Sequence, residues 1–345
     1  MPTAALLSFR LGGTDGVSVV ADTWAQLLRD AGWTVTTVAG AGPVDHLIEG
    51  LAWPVIAAPP GPQEITAATE DADVVIVENL CSLPLNPGAT EATVRALQGR
   101  PTVLHHHDLP WQRERFAHVE GWPADDPAWR HVTVNDLTRH ELAERGIDAT
   151  TIRNGFDVHV PPGDGTATRA ELGIDPRERV LLHPVRAIER KDVPAAVALA
   201  EALDATYWLT GPPEEGYEAE LARILGSAKC RIVHERAPHG MPAAYAAADA
   251  VAFPSTWEGF GNPLIESALH RRPLAVRRYP VAEELVALGF RWFPADDHRP
   301  LADFLARPDA ELLDHNRRLA VEHFSLERVA AELTALLDGL LGFAR

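Results

Sequence analysis

Two glutamates and the loop between them form the part of the sequence best suited to chemistry. An apolar run is followed by Glu258, Gly259 and Gly261, and then by Pro263 and Glu266. Proline is favoured in the first turn of a helix, so this pattern predicts a strand, a glycine-bearing loop and a helix. The free amides at such a helix start suit a phosphate. The two carboxylates are better suited to accepting hydrogen bonds from the hydroxyls of a sugar or a ribose.

Two basic residues follow a predicted strand earlier in the same half of the chain. Arg186 and Lys191 come after the apolar run 180–184. Two fixed cations can stabilise the negative charge that develops on a departing diphosphate without a metal ion. The alternative is that both are surface charges that happen to follow a strand.

These residues resemble the motifs of a known enzyme family. Glu258 and Glu266, enclosing Gly-Phe-Gly-Asn-Pro, resemble the E-x7-E motif of the retaining family-4 glycosyltransferases, and Arg186 with Lys191 resembles that family's R-x4-K. The resemblance implies that Glu258 lies near the transferred sugar and that Glu266 binds the ribose of the nucleotide. It also implies a GT-B fold, in which two Rossmann-like doubly wound α/β domains face each other across a cleft.

A histidine motif in the first half resembles the same family. His105-His-His-Asp-Leu-Pro follows a predicted strand, and the resemblance makes His107 the residue that contacts the transferred sugar, with His106 as the second choice. Neighbours on an extended segment point to opposite faces, so at most two of these histidines could bind one zinc ion. We expect no metal site. An ordinary strand-end histidine packed against Trp111 is the alternative.

The glycine-rich loop after the first predicted strand supplies further candidates. Gly12 and Gly13 correspond to a loop that faces the ligand in the family, although a simple tight turn would look the same. The predicted donor-binding residues are therefore Gly12, Gly13, Gly259, Phe260, Gly261, Asn262 and Glu266, and the predicted catalytic residues are His107, Arg186, Lys191 and Glu258. Arg10, Arg113 and Arg115 are candidates for binding an anionic acceptor, because arginine suits carboxylate and phosphate groups. The alternative is that these arginines lie on a solvated face.

Two other polar segments have competing interpretations. Asp71 and Asp73 resemble a metal-binding D-x-D motif, but they precede a strand, so we interpret them as helix-end and strand-start polar residues. Residues 78–87 leave the carboxyl end of a predicted strand, where α/β sheets bind ligands. They either shape an acceptor pocket or form an ordered loop held by Asn and Ser side chains.

Length and pattern predict two domains. The chain has 345 residues, and strands alternate with helices in both halves. We assign residues 1–160 to an acceptor-binding domain and 166–325 to a donor-binding domain, with a proline- and glycine-rich linker at 158–168. The resemblance implies that the helix at 326–345 returns to the first domain.

Bulk properties exclude several classes of function. The formal net charge of −18 argues against nucleic acid or anionic lipid as a partner. The two cysteines, Cys81 and Cys230, lie far apart and predict neither a disulfide framework nor a zinc site. The N-terminus lacks the features of a signal peptide, and no apolar run is long enough to span a membrane, so we expect a cytoplasmic protein.

The sequence therefore predicts a retaining, metal-independent hexosyltransferase that requires no cofactor. It would move a sugar from a nucleotide-diphosphate sugar to a small-molecule or glycan acceptor. A nucleotide-sugar epimerase or a sugar phosphorylase of the same fold is the alternative. A non-catalytic sugar-nucleotide-binding module and a hydrolase that uses Glu258 and Glu266 as its acid pair are less well supported.

Overall fold

A computed structural model describes residues 1–13 and 15–342 of the protein. The chain divides into two compact units, which meet in sequence at Gly155 and Phe156 and again at Ser325 and Leu326. The first unit holds the N-terminal segment together with the C-terminal helix. Residues 343–345 of the predicted C-terminal helix lie outside the described residues.

The first unit is built on one parallel sheet with helices between its strands. In the described residues the strand order is β3-β2-β1-β4-β5-β6-β7, and every neighbouring pair is parallel. The strands are β1 (Thr3–Ser8), β2 (Thr34–Ala39), β3 (His46–Leu47), β4 (Val74–Glu78), β5 (Thr102–His106), β6 (Trp129–Thr133) and β7 (Ala149–Thr151). The helices in the N-terminal segment of this unit are α1 (Gly16–Asp30), α2 (Pro62–Ala68), α3 (Pro87–Leu97) and α4 (Asp136–Ala143).

The composition and burial of strand β4 are typical of a parallel sheet that is covered on both faces. All five of its residues are buried, and the strand reads as a continuous apolar run before Glu78, as expected when helices lie on both sides. Asp73, just before the strand, accepts hydrogen bonds from the backbone and hydroxyl of Thr3. It therefore joins the starts of β4 and β1, in agreement with its interpretation as a strand-start residue.

The second unit repeats this architecture. The strand order is β10-β9-β8-β11-β12-β13, again with parallel neighbours among the described residues. The strands are β8 (Arg179–His183), β9 (Ala205–Leu209), β10 (Ile232–His234), β11 (Ala250–Phe253), β12 (Leu274–Val276) and β13 (Phe293–Pro294). The helices are α5 (Gly165–Glu171), α6 (Val193–Ala202), α7 (Glu218–Ser227), α8 (Gly240–Ala247), α9 (Asn262–Leu269), α10 (Pro280–Ala287), α11 (His298–Ala306) and α12 (Ala310–Phe324).

One segment differs from what the sequence suggests. Residues 158–168, predicted to be a linker, instead run into helix α5 and pack within the second unit. A Cβ on Gly163 would lie 2.3 Å from the backbone of Ala243, and one on Gly165 would lie 2.5 Å from that of Ala246. The glycines there permit close packing.

The C-terminal helix α13 (Leu326–Leu341) belongs to the core of the first unit. Val329, Leu333 and Leu337 are buried in the same apolar cluster as Trp24 and Leu28 of α1. Their spacing of four residues places them on one face of the helix. No helix among residues 1–13 and 15–342 is long and apolar enough to cross a membrane.

Truncation of a buried leucine in α13 should destabilise the first unit. Leu333 is 1% exposed, so Leu333→Ala removes buried methyl groups and leaves a cavity, which costs about 2–5 kcal/mol of unfolding free energy. Urea unfolding followed by tryptophan fluorescence measures this cost. The control is Glu332→Ala, next to it on the solvent side, whose carboxylate pairs with Arg328 and whose loss should cost about 0.5 kcal/mol or less. Equal effects of the two substitutions would contradict the packing of α13.

Candidate active site

A buried ion cluster in the second unit joins two regions that are far apart in sequence. Lys191 Nζ lies 2.5 Å from Glu258 Oε1, and the guanidinium of Arg190 contacts Glu258 Oε2. Arg190 also donates to the carbonyl of Trp257 at 2.9 Å, and its own carbonyl accepts from the amide of Thr256 at 2.9 Å. The loop after β11 is therefore attached to the turn that carries both cations.

The local backbone explains how two successive basic residues reach one carboxylate. Residues Glu189–Lys191 form a single 3₁₀ turn, which ends at Asp192 in the left-handed conformation with φ of 49°. The Asp192 side chain accepts from the amide of Ala195 and so caps helix α6. Because Asp192 also pairs with Arg277, the turn is held from both sides.

Burial sets the electrostatics of this cluster. The side chains of Lys191 and Glu258 are 11% and 7% exposed. Burial lowers the pKa of Lys191 to about 8, an effect that Glu258 partly offsets and that the charges of Arg190 and Arg186 reinforce. Burial raises the pKa of Glu258, but the two cations outweigh it and hold that pKa below its ordinary value. At neutral pH the cluster therefore contains two positive charges and one negative charge.

The two predicted cations, Arg186 and Lys191, pair with different carboxylates. The structure brings Lys191 and Glu258 into contact and adds Arg190, which the sequence reasoning missed. Arg186 pairs with Glu214 at 2.5 Å and is only partly buried. Its charge nevertheless acts on Lys191, so the two predicted cations are electrostatic neighbours.

The loop after Glu258 requires glycine. Gly261 has φ of 96° and precedes helix α9, whose first turn contains Pro263 as predicted. A Cβ at this position would lie 2.6 Å from the hydroxyl of Tyr279 and 2.9 Å from the ring of Phe253. Tyr279 in turn donates to the carbonyl of Phe260 at 3.2 Å. The tight loop sets the direction of the amides at the start of α9.

Glu266 has a partner that the sequence did not indicate. Tyr245 donates a hydrogen bond to Glu266 Oε2 at 2.6 Å and stacks on His270 with ring centroids 4.9 Å apart. Burial raises the pKa of Glu266, although the bond from Tyr245 works against this. Tyr245 thus fixes the position of the second glutamate of the motif.

In the first unit, His107 belongs to a buried cluster at the ends of β4 and β5. Its Nε2 lies 2.9 Å from Glu78 Oε2, and His105 Nδ1 lies 3.0 Å from the same oxygen. Trp111, the packing partner considered for His107, instead donates to Glu141 and lies beneath Arg145. Burial raises the pKa of Glu78, but the charges and hydrogen bonds of His105 and His107 outweigh it and lower that pKa to about 2.

His106 points to the opposite face, as alternation along a strand requires. Its Nδ1 lies 2.7 Å from Ser82 Oγ and its Nε2 lies 2.9 Å from His131 Nδ1, while His131 Nε2 lies 3.1 Å from Asp125. This chain of four groups anchors the loop after β4 inside the protein. The ordered-loop interpretation of residues 78–87 therefore describes what the structure contains.

The remaining predicted residues of the first unit are held by their neighbours. Gly12 has φ of 71° and a Cβ there would lie 2.7 Å from Pro43, whereas Gly13 lies beside the helix cap Asp15. Arg10 donates to Asp15 at 3.0 Å, and Arg113 pairs with Asp108. The exposed Arg115 lies over the ring of Phe116, 5.1 Å from its centroid. Two of the three predicted acceptor arginines thus have carboxylate partners.

One group among the described residues has the composition of a metal site. Ligand atoms of Glu78, His105 and His107 all lie within 4.8 Å of one another. Two imidazoles and a carboxylate are suitable ligands for zinc. The cysteines Cys81 and Cys230 are both free thiols.

Comparison with known proteins points to one class. Residues 190–307 match the family model described as Glycosyl transferases group 1. This segment contains Arg190, Lys191, Glu258 and Glu266. The matched segment lies entirely within the second unit.

The chain is also similar to individual proteins in sequence and in structure. The chain is 27% identical over 329 residues to mannosylglucosylglycerate synthase from Thermotoga maritima, covering 77% of this chain and 76% of that protein. The structure of the present chain matches that of a glycosyltransferase from Rickettsia africae, with a TM-score of 0.78 at 14% identity over 99% of both chains. It also matches Anabaena Alr3699/HepE in complex with UDP-glucose, with a TM-score of 0.76 at 20% identity over 98% of this chain and all of that one. The prediction of a GT-B fold is confirmed.

The buried histidine of the second unit should make stability depend on pH. His183 is fully buried at the end of β8 and donates to or accepts from Tyr207 at 2.7 Å, and burial together with Lys191 lowers its pKa to about 3. The unfolded chain therefore binds more protons below pH 6.5, and stability falls as pH falls. Between pH 7 and pH 5 this one group should cost about 2 kcal/mol. Urea unfolding at both pH values measures the loss.

The variant His183→Asn separates this titration from that of the other histidines. Asparagine does not titrate, so the difference in unfolding free energy between pH 7 and pH 5 should shrink by about 2 kcal/mol, even if the variant is less stable at both. An unchanged difference would show that His183 is not held neutral.

Proposed function

We propose that the protein is a retaining glycosyltransferase that moves a sugar from a nucleoside-diphosphate sugar to a hydroxyl-bearing small molecule or glycan. The observation that carries this proposal is the contact of Arg190 and Lys191 with Glu258, immediately before the glycine-bearing loop and the start of α9. The family match over residues 190–307 and the names of the similar proteins support the same class.

The cluster suits a leaving diphosphate. A departing nucleoside diphosphate gains negative charge, and cations that are already fixed in a water-poor site stabilise that charge without reorganisation. Arg190 and Lys191 provide two such cations, with Arg186 nearby. The amides of residues 259–262 lie at the start of helix α9, where the helix dipole favours a phosphate. In this proposal no metal ion is required.

Glu258 acts mainly by holding these cations in place. Both of its carboxylate oxygens are engaged, one by Lys191 and the other by Arg190. A carboxylate in this state offers no free oxygen as a nucleophile, which argues against a covalent glycosyl intermediate and against a hydrolase that uses Glu258 and Glu266 as its acid pair. We propose that the acceptor instead attacks from the face that the diphosphate leaves, so that the anomeric configuration is retained.

Glu266 suits the ribose. Tyr245 holds one of its oxygens at 2.6 Å, and a positioned carboxylate can accept hydrogen bonds from both hydroxyls of a ribose. For the donor, the structural similarity to Anabaena Alr3699/HepE in complex with UDP-glucose supports a nucleotide sugar. The roles of His107, Gly12 and Gly13 at the transferred sugar stay predictions.

Removing the buried lysine should abolish transfer. Lys191→Ala takes away one of the cations that stabilise the leaving group, and loss of one such electrostatic contact lowers kcat by about 10²–10³-fold. The assay is product formation from a panel of UDP-glucose, GDP-mannose and ADP-glucose with candidate acceptors, followed by NMR determination of the product anomer. Lys229→Ala is the matched control because Lys229 is the only other lysine in the sequence and is exposed.

Three results would count against the proposal. Near-normal turnover by Lys191→Ala would remove the leaving-group assignment, provided circular dichroism shows that the variant is folded. Conversion of the donor to an isomeric nucleotide sugar in the absence of any acceptor would favour an epimerase. A product with the opposite anomeric configuration from the donor would exclude retention.

A further inference from the structure

The ends of β4 and β5 place one carboxylate between two imidazoles. The strands are parallel neighbours with Glu78 opposite His105, and His107 lies two residues further on the same face. Glu78 Oε2 is 3.0 Å from His105 Nδ1 and 2.9 Å from His107 Nε2. Glu78 and His105 are fully buried, whereas the His107 side chain is 13% exposed. Of the three groups, His107 is thus the one that reaches the surface.

The direction of these hydrogen bonds follows from the charge of Glu78. An ionised carboxylate can only accept hydrogen bonds, so both imidazoles must donate to it. His105 then carries its proton on Nδ1, and His107 carries a proton on Nε2. When His107 is neutral, its Nδ1 is left as an unprotonated acceptor. The carboxylate of Glu78 thus determines which nitrogen of His107 can receive a hydrogen bond from a ligand.

The backbone at His107 is held by the neighbouring residue of β4. Asn79 has φ of 59°, an uncommon conformation for a residue other than glycine. Its amide donates to the carbonyl of His105 at 3.0 Å, and its side-chain oxygen accepts from the amide of His107 at 3.2 Å. Its side-chain nitrogen donates to Asp108 at 3.2 Å. Residues 78 and 79 therefore hold both the ring and the backbone of His107.

The imidazole of His105 completes this support. It stacks on the ring of Trp24, with centroids 4.1 Å apart and planes 18° from parallel, and it lies 4.6 Å from the ring of His107. The His105 ring, itself held by Trp24, limits where the ring of His107 can move. A ring held by a carboxylate, a second imidazole and a fixed backbone is preorganised for one hydrogen-bond geometry.

We propose that Glu78 is a positioning residue that holds His107 as the tautomer protonated on Nε2, so that Nδ1 accepts a hydrogen bond from a substrate hydroxyl. The class of ligand follows from this chemistry: an unprotonated nitrogen receives an O–H group and does not bind a phosphate or a carboxylate. The identity of the ligand as a substrate hydroxyl rests on the proposed transferase function. The tautomer of His107 is a property of the protein alone and can be tested without a substrate.

The same three groups could instead chelate a cation, and the two arrangements exclude each other. A zinc ion would need the lone pairs of His105 Nδ1 and His107 Nε2, which are the two nitrogens that carry protons in the hydrogen-bonded arrangement. The carboxylate already accepts one bond from each ring. We therefore expect no stoichiometric zinc binding at Glu78, and detection of it would overturn the proposal.

The tautomer is tested directly by long-range ¹H–¹⁵N NMR of protein labelled at histidine. The resonances of His107 are assigned by their loss in His107→Asn. In the native protein at pH 7.5, His107 should show a protonated Nε2 and an unprotonated Nδ1, whereas in Glu78→Gln the fixed preference should be lost and both tautomers should appear. Asp125→Asn makes the same chemical change beside His131 on the other face of the sheet and should leave the His107 signals in place.

The second readout is enzyme kinetics. The assay uses the donor that is active among UDP-glucose, GDP-mannose and ADP-glucose. Glu78→Gln should lower kcat/KM by about 10–100-fold, the value of one hydrogen bond to a charged group. In the His107→Ala background the same substitution should have little further effect. If all donors are inactive, the proposed function fails while the NMR result still decides the tautomer. A His107 with protonated Nδ1, or an unchanged tautomer in Glu78→Gln, would contradict the proposal.

Discussion

The contact of Lys191 with Glu258 is the interaction on which the second unit's site depends. It joins the turn after β8 to the loop after β11, which are 67 residues apart in sequence. Arg190 adds a second cation to the same carboxylate. Removing Glu258 would leave both cations uncompensated, and the loss of one partner of a buried pair costs about 3–5 kcal/mol. The cluster therefore holds more positive than negative charge in a largely buried position.

The two units use carboxylates in a related way. In the second unit Glu258 holds two cations, and Tyr245 holds Glu266. In the first unit Glu78 holds two imidazoles. In each unit one buried acid, Glu258 or Glu78, positions the groups that we expect to contact the ligand. The carboxylates of Glu258 and Glu78 find their partners within their own unit, which is how buried charges are tolerated in a folded protein.

The sequence predicts the sheets well and the partners of charged residues less well. Continuous apolar runs are enough to locate strands β8 and β11, because a buried parallel strand has a strong local pattern. Alternation along a strand also predicts that His105 and His107 share a face. By contrast, the pairing of Arg190 with Glu258 depends on the approach of two loops, and no local pattern records it. The only signal was that Arg190 adjoins Lys191.

Direct calorimetric titration with nucleotides tests the central claim that this cluster receives a diphosphate. The titrations use UDP, GDP and ADP and their monophosphates in a buffer that contains a metal chelator. We predict that at least one diphosphate binds, that its monophosphate binds about tenfold more weakly or worse, and that Lys191→Ala loses this discrimination. Equal affinity of the native protein and Lys191→Ala for the diphosphate, or no binding of any of the three, would contradict the account.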